Sequence, residues 1–226
     1  MKAAGVRARV RAEMTEEIKA VARKQLASDG ANLSLRAVAR EVGLASSAVY
    51  RYFASRDELL TALIIEAYDA VGAAAERAAA GVADPYERFL ALTHAVRDWA
   101  VTDPHQWALI YGSPVPGYQA PQDTIGPATR VVLLIGSVVD EAARAGRIID
   151  GPPITGRFAE ELAVVGEQFL LGSSPRLVGA AMAAFIQLCG AISAELYGQL
   201  SNTVEDDRRG FFEFQMRGAA SFIGLA

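Results

Sequence analysis

Hydroxyl, tyrosine and arginine side chains stand together in residues 33–60, spaced so that several of them can share one surface. The set consists of Ser46, Ser47, Tyr50 and Arg51. Small and hydrogen-bonding side chains of this kind can lie against the floor of a DNA major groove, where hydroxyls and guanidinium groups bind phosphates or base edges. This chemistry is recognition rather than catalysis.

Three short helices are predicted to position these side chains. Ser34 can cap the first helix, and Gly43 suits a sharp turn because glycine takes positive φ without strain. Val49 and Phe53 lie four residues apart and face inward, which turns the polar side chains outward. Ser55 begins an S-x-x-E capping box for the third helix. The pattern is that of a helix-turn-helix, which makes double-stranded DNA the favoured partner.

Charge is distributed unevenly along the chain. Residues 1–56 contain eleven Lys or Arg side chains and five Asp or Glu side chains, a net charge of +6. Because the whole chain carries −4, the remaining 170 residues carry −10. A basic head on an acidic body fits a protein that docks on DNA by one end only.

The same segment resembles the DNA-binding domain of the tetracycline-repressor (TetR) family of bacterial transcription factors. In that family the helix-turn-helix ends in a Tyr-x-[aromatic or His]-Phe run followed by Lys or Arg; here the run is Tyr50-Arg51-Tyr52-Phe53, with Arg56 after it. The resemblance implies DNA contacts at nine positions: Leu35, Arg36, Ser46, Ser47, Ala48, Tyr50, Arg51, Tyr52 and Arg56.

Two of these nine positions depart from the usual chemistry of the family. Leu35 stands where family members often carry Thr, and Ala48 offers no hydrogen bond. We therefore expect base readout from Arg36, Ser46 and Arg51. Phosphate contacts are expected from three further residues: Tyr50, Tyr52 and Arg56.

The first ten residues form a separate case. Arg7, Arg9 and Arg11 alternate in a segment with weak apolar patterning, which does not oblige a fold. We expect residues 1–10 to be a flexible arm that reaches phosphates or the minor groove when DNA is bound. The alternative is a frayed terminus without a role.

The rest of the chain is patterned for helices. Hydrophobic residues make up 52% of the sequence, without strict alternation of polar and apolar residues. We predict an all-α protein in which a three-helix DNA-binding domain, residues 1–60, is joined by a long helix to a larger ligand-binding and dimerisation domain, residues 61–226. The predicted helices cover residues 11–28, 35–41, 45–51, 56–80, 85–101, 104–111, 125–146, 156–171, 175–200 and 206–223.

Several classes of protein are disfavoured by composition. One cysteine and two histidines without metal-ligand spacing, and the absence of nucleophile or phosphate-binding motifs, argue against an enzyme. We expect no cofactor and no metal. A single Cys also suits a reducing cytoplasm, and we see neither a signal-peptide pattern nor an apolar stretch of membrane-spanning length, so no membrane partner is expected.

A proline- and glycine-broken loop at residues 112–121 has aromatic and apolar flanks. The stretch 104–118 resembles a run found in one TetR subgroup whose C-terminal domain binds the inducer. Ligand cavities are mostly apolar with a few polar groups, and we expect such a cavity here, although ordinary core packing is the alternative for each aromatic residue. The candidate lining residues are Phe89, His94, Arg97, Trp99, Trp107, Tyr111 and Tyr118.

The last two long helices are apolar on more than one face. Such helices need a partner, and a symmetric four-helix dimer interface provides one; the alternative is burial of both within the monomer. Residues 185–198 also resemble a TetR subgroup named for a Trp-His-Gly signature, of which only the glycine, Gly190, is retained. The candidate interface residues are Phe185, Cys189, Ile192, Leu196, Phe211 and Phe214.

The resemblance and the charge pattern together imply a ligand-responsive repressor. It would bind a palindromic operator as a homodimer and be released by a small apolar or amphipathic effector. The alternative is a helix-turn-helix protein without an effector, in an architectural or constitutive role. A packed C-terminal core with no enclosed volume would favour that alternative.

Overall fold

The computed structural model of the chain describes residues 2–29, 33–149, 151–169 and 171–225. These residues form nine α-helices and two short 3₁₀ segments, and their one β feature is an isolated antiparallel bridge between Ile148 and Leu225. The prediction of an all-α fold is confirmed. The helices are α1 (Lys2–Asp29), α2 (Leu35–Glu41), α3 (Arg56–Ala79), α4 (Pro85–Thr102), α5 (Pro104–Tyr111), α6 (Ile125–Arg144), α7 (Arg157–Gln168), α8 (Pro175–Leu196) and α9 (Arg208–Ile223).

Local hydrogen bonds begin the helices at the predicted caps. The hydroxyls of Ser34, Ser55 and Ser174 each accept a hydrogen bond from the backbone N–H three residues on, at 3.0–3.4 Å. The Asp84 carboxylate does the same at 3.0 Å. Each bond satisfies a donor that the first turn of a helix leaves without an intrahelical partner.

Gly43 ends α2 as predicted. Its φ of +72° lies in the left-handed region, which glycine adopts without strain. The N–H of Leu44 donates to the Ala39 carbonyl at 2.8 Å, and the N–H of Gly43 donates to the Arg40 carbonyl at 3.2 Å. These two bonds make a Schellman motif, which reverses the chain between the two elements of the helix-turn-helix.

The N-terminal segment is helical, whereas residues 1–10 were predicted to be a flexible arm. Helix α1 begins at Lys2, so residues 2–10 are helical, and residue 1 lies outside the described residues. The side chains of residues 5–13 are all exposed, so burial does not hold this part of the helix. Its Ala, Arg and Glu residues have high helix propensity, and Arg9 and Glu13 pair at 3.6 Å one turn apart. High helix propensity therefore favours a helix here, although this segment has no apolar face to bury.

The second element of the motif also differs from its prediction as a helix over residues 45–51. Residues 46–48 are turns, and a 3₁₀ segment follows at Val49–Arg51. Hydrogen bonds here mostly join residues three apart, as from the Arg51 N–H to the Ala48 carbonyl at 3.1 Å. This segment contains serines, a β-branched valine and tyrosines, which do not favour so short an α-helix. Serine side chains compete for backbone hydrogen bonds, and valine and tyrosine side chains lose rotamers in a helix.

Helix α8 stops at Leu196, four residues before its predicted end. Gly198 has a φ of +77°, and the N–H of Gln199 donates back to the Ala194 carbonyl at 3.0 Å. This left-handed glycine closes the helix as Gly43 closes α2.

Two compact units make up the chain. The first contains Met1–Ala67 and His105–Ile125, and the second contains Tyr68–Pro104 and Gly126–Ala226. The predicted boundary after residue 60 places residues 105–125 in the C-terminal domain. In the structure these residues belong to the same compact unit as the N-terminal residues. The predicted two-domain division itself stays a prediction.

Apolar side chains from α1, α2, α3 and the 3₁₀ segment Val49–Arg51 form the core of the first unit. Ile18, Val38, Val49 and Leu63 are each at most 2% exposed. At the edge of this core, the Lys19 ammonium pairs with the Glu66 carboxylate, which also accepts from Arg23 at 3.0 Å. These ion pairs join α1 to α3. The helix-turn-helix is thus held between two longer helices.

The second unit has its core where α4, α8 and α9 pack together. Its fully buried members are large apolar side chains, including Phe89, Leu188, Ile192, Phe212 and Met216. Burial of this apolar area is the main stabilising contribution to the unit.

Helix α8 is long and apolar enough to cross a membrane by length and composition alone. The expectation that no stretch of such length exists is therefore wrong. The helix packs against α4, α7 and α9, as the core helix of a globular unit does.

Candidate functional site

The helix-turn-helix presents a polar and basic surface. Arg36, Ser46, Ser47 and Arg51 are exposed, and Tyr50 is 46% exposed. Val49 and Phe53 are buried, as the four-residue spacing predicts. Burial of the apolar positions therefore turns the hydroxyls, guanidinium groups and phenol toward solvent, where DNA can reach them.

A basic concave surface lies across the turn. Arg36 and Arg40 stand one helical turn apart on the exposed face of α2, and together with Gly43, Leu44 and Ser46 they line this surface. Two guanidinium groups beside a hydroxyl suit a phosphate, because guanidinium binds phosphate oxygens in a bidentate fashion. Arg40 was not among the predicted DNA contacts. Its four-residue spacing from Arg36 is the signal that could have done so.

Arg11 of α1 contacts the part of the motif that follows the turn, residues 46–52, which we name the recognition segment. One of its terminal nitrogens donates to the Arg51 carbonyl at 2.8 Å, and its guanidinium carbon lies 5.4 Å from the centroid of the Tyr52 ring. The first contact satisfies a carbonyl at the end of the 3₁₀ segment, and the second is a cation–π contact. Arg11 therefore positions the two residues that close the recognition segment, a role that the alternating arginines alone did not reveal.

Two of the predicted DNA-contact residues have structural roles. Leu35 is only 6% exposed, so its side chain belongs to the core and is removed from the contact set. The half-buried Arg56 donates from Nε to the Leu33 carbonyl at 3.1 Å and pairs with Asp57 at 3.3 Å. Its guanidinium ties the start of α3 to the residues before α2. Ala48 and Tyr52 are half-buried, and the remaining predicted contacts are exposed.

Comparison with known proteins decides the family. Residues 18–63 match the family model described as "Bacterial regulatory proteins, tetR family". Residues 89–219, more than half of the chain, match the model described as "Tetracyclin repressor-like, C-terminal domain". The chain belongs to the TetR family.

Relatives of this TetR regulator match it over nearly its whole length. The HTH-type transcriptional regulators Rv1816 of Mycobacterium tuberculosis and Mb1846 of Mycobacterium bovis are each 39% identical over 222 residues, covering 94% of this chain and 93% of theirs. Among solved structures, the regulatory protein SCO4313 is 33% identical with a TM-score of 0.80, covering 94% of this chain and 98% of that one. A protein from Rhodococcus sp. RHA1 is 26% identical with a TM-score of 0.69, covering 94% and 95%.

These matches establish the general function of the chain. It is a TetR-family transcriptional regulator with a DNA-binding helix-turn-helix, and the prediction that it is not an enzyme is confirmed. The resemblance of residues 185–198 to the Trp-His-Gly subgroup stays a prediction.

The seven predicted ligand residues of the TetR regulator are divided between its two units. In the second unit, Phe89 is fully buried in the core. Arg97 donates to both carboxylate oxygens of Glu195, at 2.8 and 2.6 Å, and both side chains are at most 10% exposed. Phe89 and Arg97 are therefore packing and ion-pairing residues, which corrects their assignment to the pocket.

His94 packs between polar and apolar neighbours. Its ring meets the Phe212 ring edge-on at a centroid distance of 5.4 Å, and its buried Nδ1 has no hydrogen-bond partner within the described part of the chain. Burial lowers the pKa of this imidazole, and the positive charge of Arg209 lowers it further. Trp99, on the same helix, is half-buried.

In the first unit, the predicted ligand residues of α5 and its loop contact one another and α3. Trp107 is fully buried, and its ring lies 4.4 Å from that of Tyr111. The Tyr118 hydroxyl is 2.9 Å from the Thr61 hydroxyl of α3, so the two share a hydrogen bond. Trp107 is therefore a core residue, and Tyr118 ties the proline-rich loop to the helix that follows the DNA-binding motif.

A partly open pocket lies elsewhere in the regulator. A cavity of about 110 Å³ is bounded by α6, α7 and α8 in the second unit. None of the seven predicted ligand residues lines this volume, which we name the α6–α8 cavity. Its walls are mostly Val, Leu and Ala side chains, together with Thr129, Phe169 and Met182. Such residue types are too common in the sequence to signal a site.

The predicted dimer residues are placed unevenly. Ile192 is fully buried in its own unit, so its assignment to the interface is corrected. Phe214 is 72% exposed, and the other four predicted residues are half-buried. Three further apolar side chains of these two helices are exposed: Met182, Ile186 and Phe222.

Proposed function

We propose that this TetR regulator is a ligand-responsive repressor that acts in the cytoplasm and binds a palindromic operator as a homodimer. The observation that carries the proposal is the pairing of an exposed, basic and hydroxyl-rich helix-turn-helix with an unpartnered apolar face on the last two helices. The first feature supplies the DNA contact, and the second supplies the two-fold symmetry that a palindrome requires.

The apolar face has a regular design. On α8, Met182 and Ile186 stand four residues apart, and Gly190 follows at the same spacing; on α9, Phe214 and Phe222 stand on either side of Gly218. We name this set the α8–α9 face. Large side chains at 67% and 72% exposure, such as Ile186 and Phe214, gain apolar burial from a partner of the same shape.

The two glycines of the α8–α9 face support close approach by another helix. A Cβ atom built on Gly190 or Gly218 meets nothing within 4 Å, so neither glycine is required by packing inside the chain. Glycine within a helix is less favourable than alanine by about 1 kcal/mol. A second copy that packs backbone against backbone at these positions would offset that penalty.

Response to a small molecule is supported by the α6–α8 cavity. A DNA-binding protein without an effector needs no enclosed volume, and a packed C-terminal core would favour that alternative. The α6–α8 cavity, a partly open apolar pocket of about 110 Å³ in this core, instead favours an effector. The two DNA-binding domains of the dimer are either at the spacing that fits the operator or at one that does not. An effector that binds the second state more tightly than the first lowers operator affinity by the ratio of its affinities for the two states.

The DNA-binding part is tested by selecting bound fragments from the genomic DNA of the source organism, followed by gel retardation with one selected fragment. We expect Tyr50→Ala and Arg36→Ala to weaken retention strongly, because both side chains are exposed on the helix-turn-helix. Arg157→Ala, an exposed arginine of α7, is the matched control and should bind like the wild type. Full retention by both helix-turn-helix variants would refute this surface.

The dimer is tested by sedimentation equilibrium. Ile186→Glu should convert dimer to monomer, because two carboxylates would be desolvated at the symmetric interface. Val164→Glu makes the same kind of change at a similarly exposed apolar residue of α7, and should leave the dimer intact. A dimer in both variants would show that the α8–α9 face is not the interface.

A further inference from the structure

The α6–α8 cavity is lined almost wholly by carbon. Val132 and Leu133 come from α6, Val165 from α7, and Val178 and Ala181 from α8, with Phe169 at the end of α7. The hydroxyl group in the wall, that of Thr129, donates to the Gly126 carbonyl at 3.0 Å. A charged ligand group in this space would lose its water without gaining a hydrogen-bond partner, which disfavours it strongly.

The size of the cavity limits its occupant. Its volume is about 110 Å³. Apolar cavities of about 150 Å³ stay dry and take up benzene or xenon. The α6–α8 cavity is somewhat smaller, so it suits a single small ring or a short hydrocarbon chain rather than a long lipid.

The α6 wall of the cavity is connected to α3, the helix that follows directly on the DNA-binding motif. Arg130 lies between the wall residues Thr129 and Val132, and it pairs with Asp69 and Glu76 of α3 at 2.7 and 2.6 Å. A shift of α6 on filling the cavity therefore acts on ion pairs that hold α3.

The absence of a side chain at Gly72 makes this connection possible. A Cβ atom there would lie 2.8 Å from Nε of Arg130. The guanidinium thus lies against the bare backbone of α3, between its two carboxylate partners. A helix-interior glycine that admits a side chain from another helix marks a close and specific approach.

We infer that the α6–α8 cavity is the effector site and that the effector is a small uncharged molecule with an apolar body about the size of benzene. This inference rests on the proposed function and names its ligand class. Binding of the effector shifts α6 and, through Arg130, changes how α3 is held. The aromatic residues around the proline-rich loop do not form the site.

Benzene and xenon are the probes for the full-length protein, and benzoate is the charged comparator of the same ring size. We expect benzene or xenon to raise the melting temperature of the wild type, because a ligand that binds the folded state stabilises it, whereas benzoate should not. Ala181→Leu fills the cavity with three further carbon atoms and should abolish the shift. Ala145→Leu is the same change at an exposed residue after α6, and should keep the shift.

Folding of the filled variant is checked by its own melting curve without a probe. Val165→Phe fills the cavity from the α7 wall and is the second variant if Ala181→Leu melts early. Equal shifts in the filled variants and the wild type, or no shift with either probe in the wild type, would overturn the inference.

The effector role is read from operator retention in the presence of the probe that binds. We expect operator affinity to fall by about 5- to 150-fold, the usual range for coupling between two sites. Unchanged affinity with the cavity occupied would overturn the effector role. If the unliganded chain holds no DNA fragment at all, the proposed function fails, whereas DNA binding without a melting shift refutes the cavity alone.

Discussion

The buried ion pair between Arg97 and Glu195 gives the sharpest prediction about stability. It joins α4 to α8 through two short hydrogen bonds, of 2.8 and 2.6 Å, and both side chains are at most 10% exposed. Two further contacts hold the guanidinium: Asp98 at 3.2 Å and the Phe212 ring at a centroid distance of 5.7 Å. The variants to compare are Glu195→Leu, Arg97→Met and the double variant.

Removing one partner leaves a charge buried without its counter-charge. Loss of one member of such a pair costs about 3–5 kcal/mol. Because Asp98 and Phe212 still stabilise Arg97, we expect Glu195→Leu to lie at the lower end, about 3 kcal/mol. At about 2–4 °C for each kcal/mol in a chain of this length, the melting temperature should fall by about 6–12 °C. The double variant removes both charges and should lie close to the wild type or above it, because well-packed apolar replacements of buried ion pairs are often neutral or stabilising.

Urea unfolding followed by circular dichroism measures all four proteins, and the double-mutant cycle gives the interaction free energy. A double variant destabilised by the sum of the two single changes would refute the reasoning. The double variant also tests whether Arg97 binds the ligand, as the sequence predicts. If the double variant is stable but no longer responds to the effector, Arg97 binds the ligand after all.

Three further predictions concern single groups. Burial holds the pKa of the His94 imidazole below its ordinary value of 6.5, so the unfolded chain binds a proton at His94 more readily than the folded chain does. The free energy of unfolding should therefore fall as the pH drops below 6.5. The melting temperature of His94→Gln should depend less on pH than that of the wild type. Burial raises the pKa of the Cys189 thiol to about 12, so a thiol reagent at pH 8 should label it only after urea is added, and fast labelling of the folded chain would contradict the burial. Gly72→Val should displace the Arg130 guanidinium from α3 and weaken coupling between effector and operator, measured as a smaller effector-dependent change in DNA retention; an unchanged response would show that the Arg130 contact carries no signal.

Local chemistry made most helix boundaries predictable. Ser34, Gly43, Ser55 and Asp84 each act within a few residues along the chain, so the sequence itself contains both partners of every hydrogen bond involved. The helix over residues 45–51 was harder to predict, because the buried spacing of Val49 and Phe53 is compatible with α and 3₁₀ geometry alike.

Burial among distant residues was less predictable. A family pattern placed Leu35 at the DNA surface, yet its side chain is only 6% exposed. Aromatic residues such as Phe89 and Trp107 suit a core as well as a pocket, and here both are fully buried. The α6–α8 cavity depends on where side chains are missing, which residue types alone do not reveal.

On α8, the proposed α8–α9 face lies one residue away from the predicted interface residues. The predicted set on α8 began at Phe185 and Cys189, whereas the exposed side is marked by Ile186 and Gly190, one residue further along each time. One residue turns a helix by about 100°, which is enough to move a stripe from the flank of the core to solvent. The proposed face therefore keeps the predicted four-residue spacing on α8 and shifts its phase by one residue. The glycines could have set the phase, because an interior helical glycine is best tolerated where another backbone approaches it.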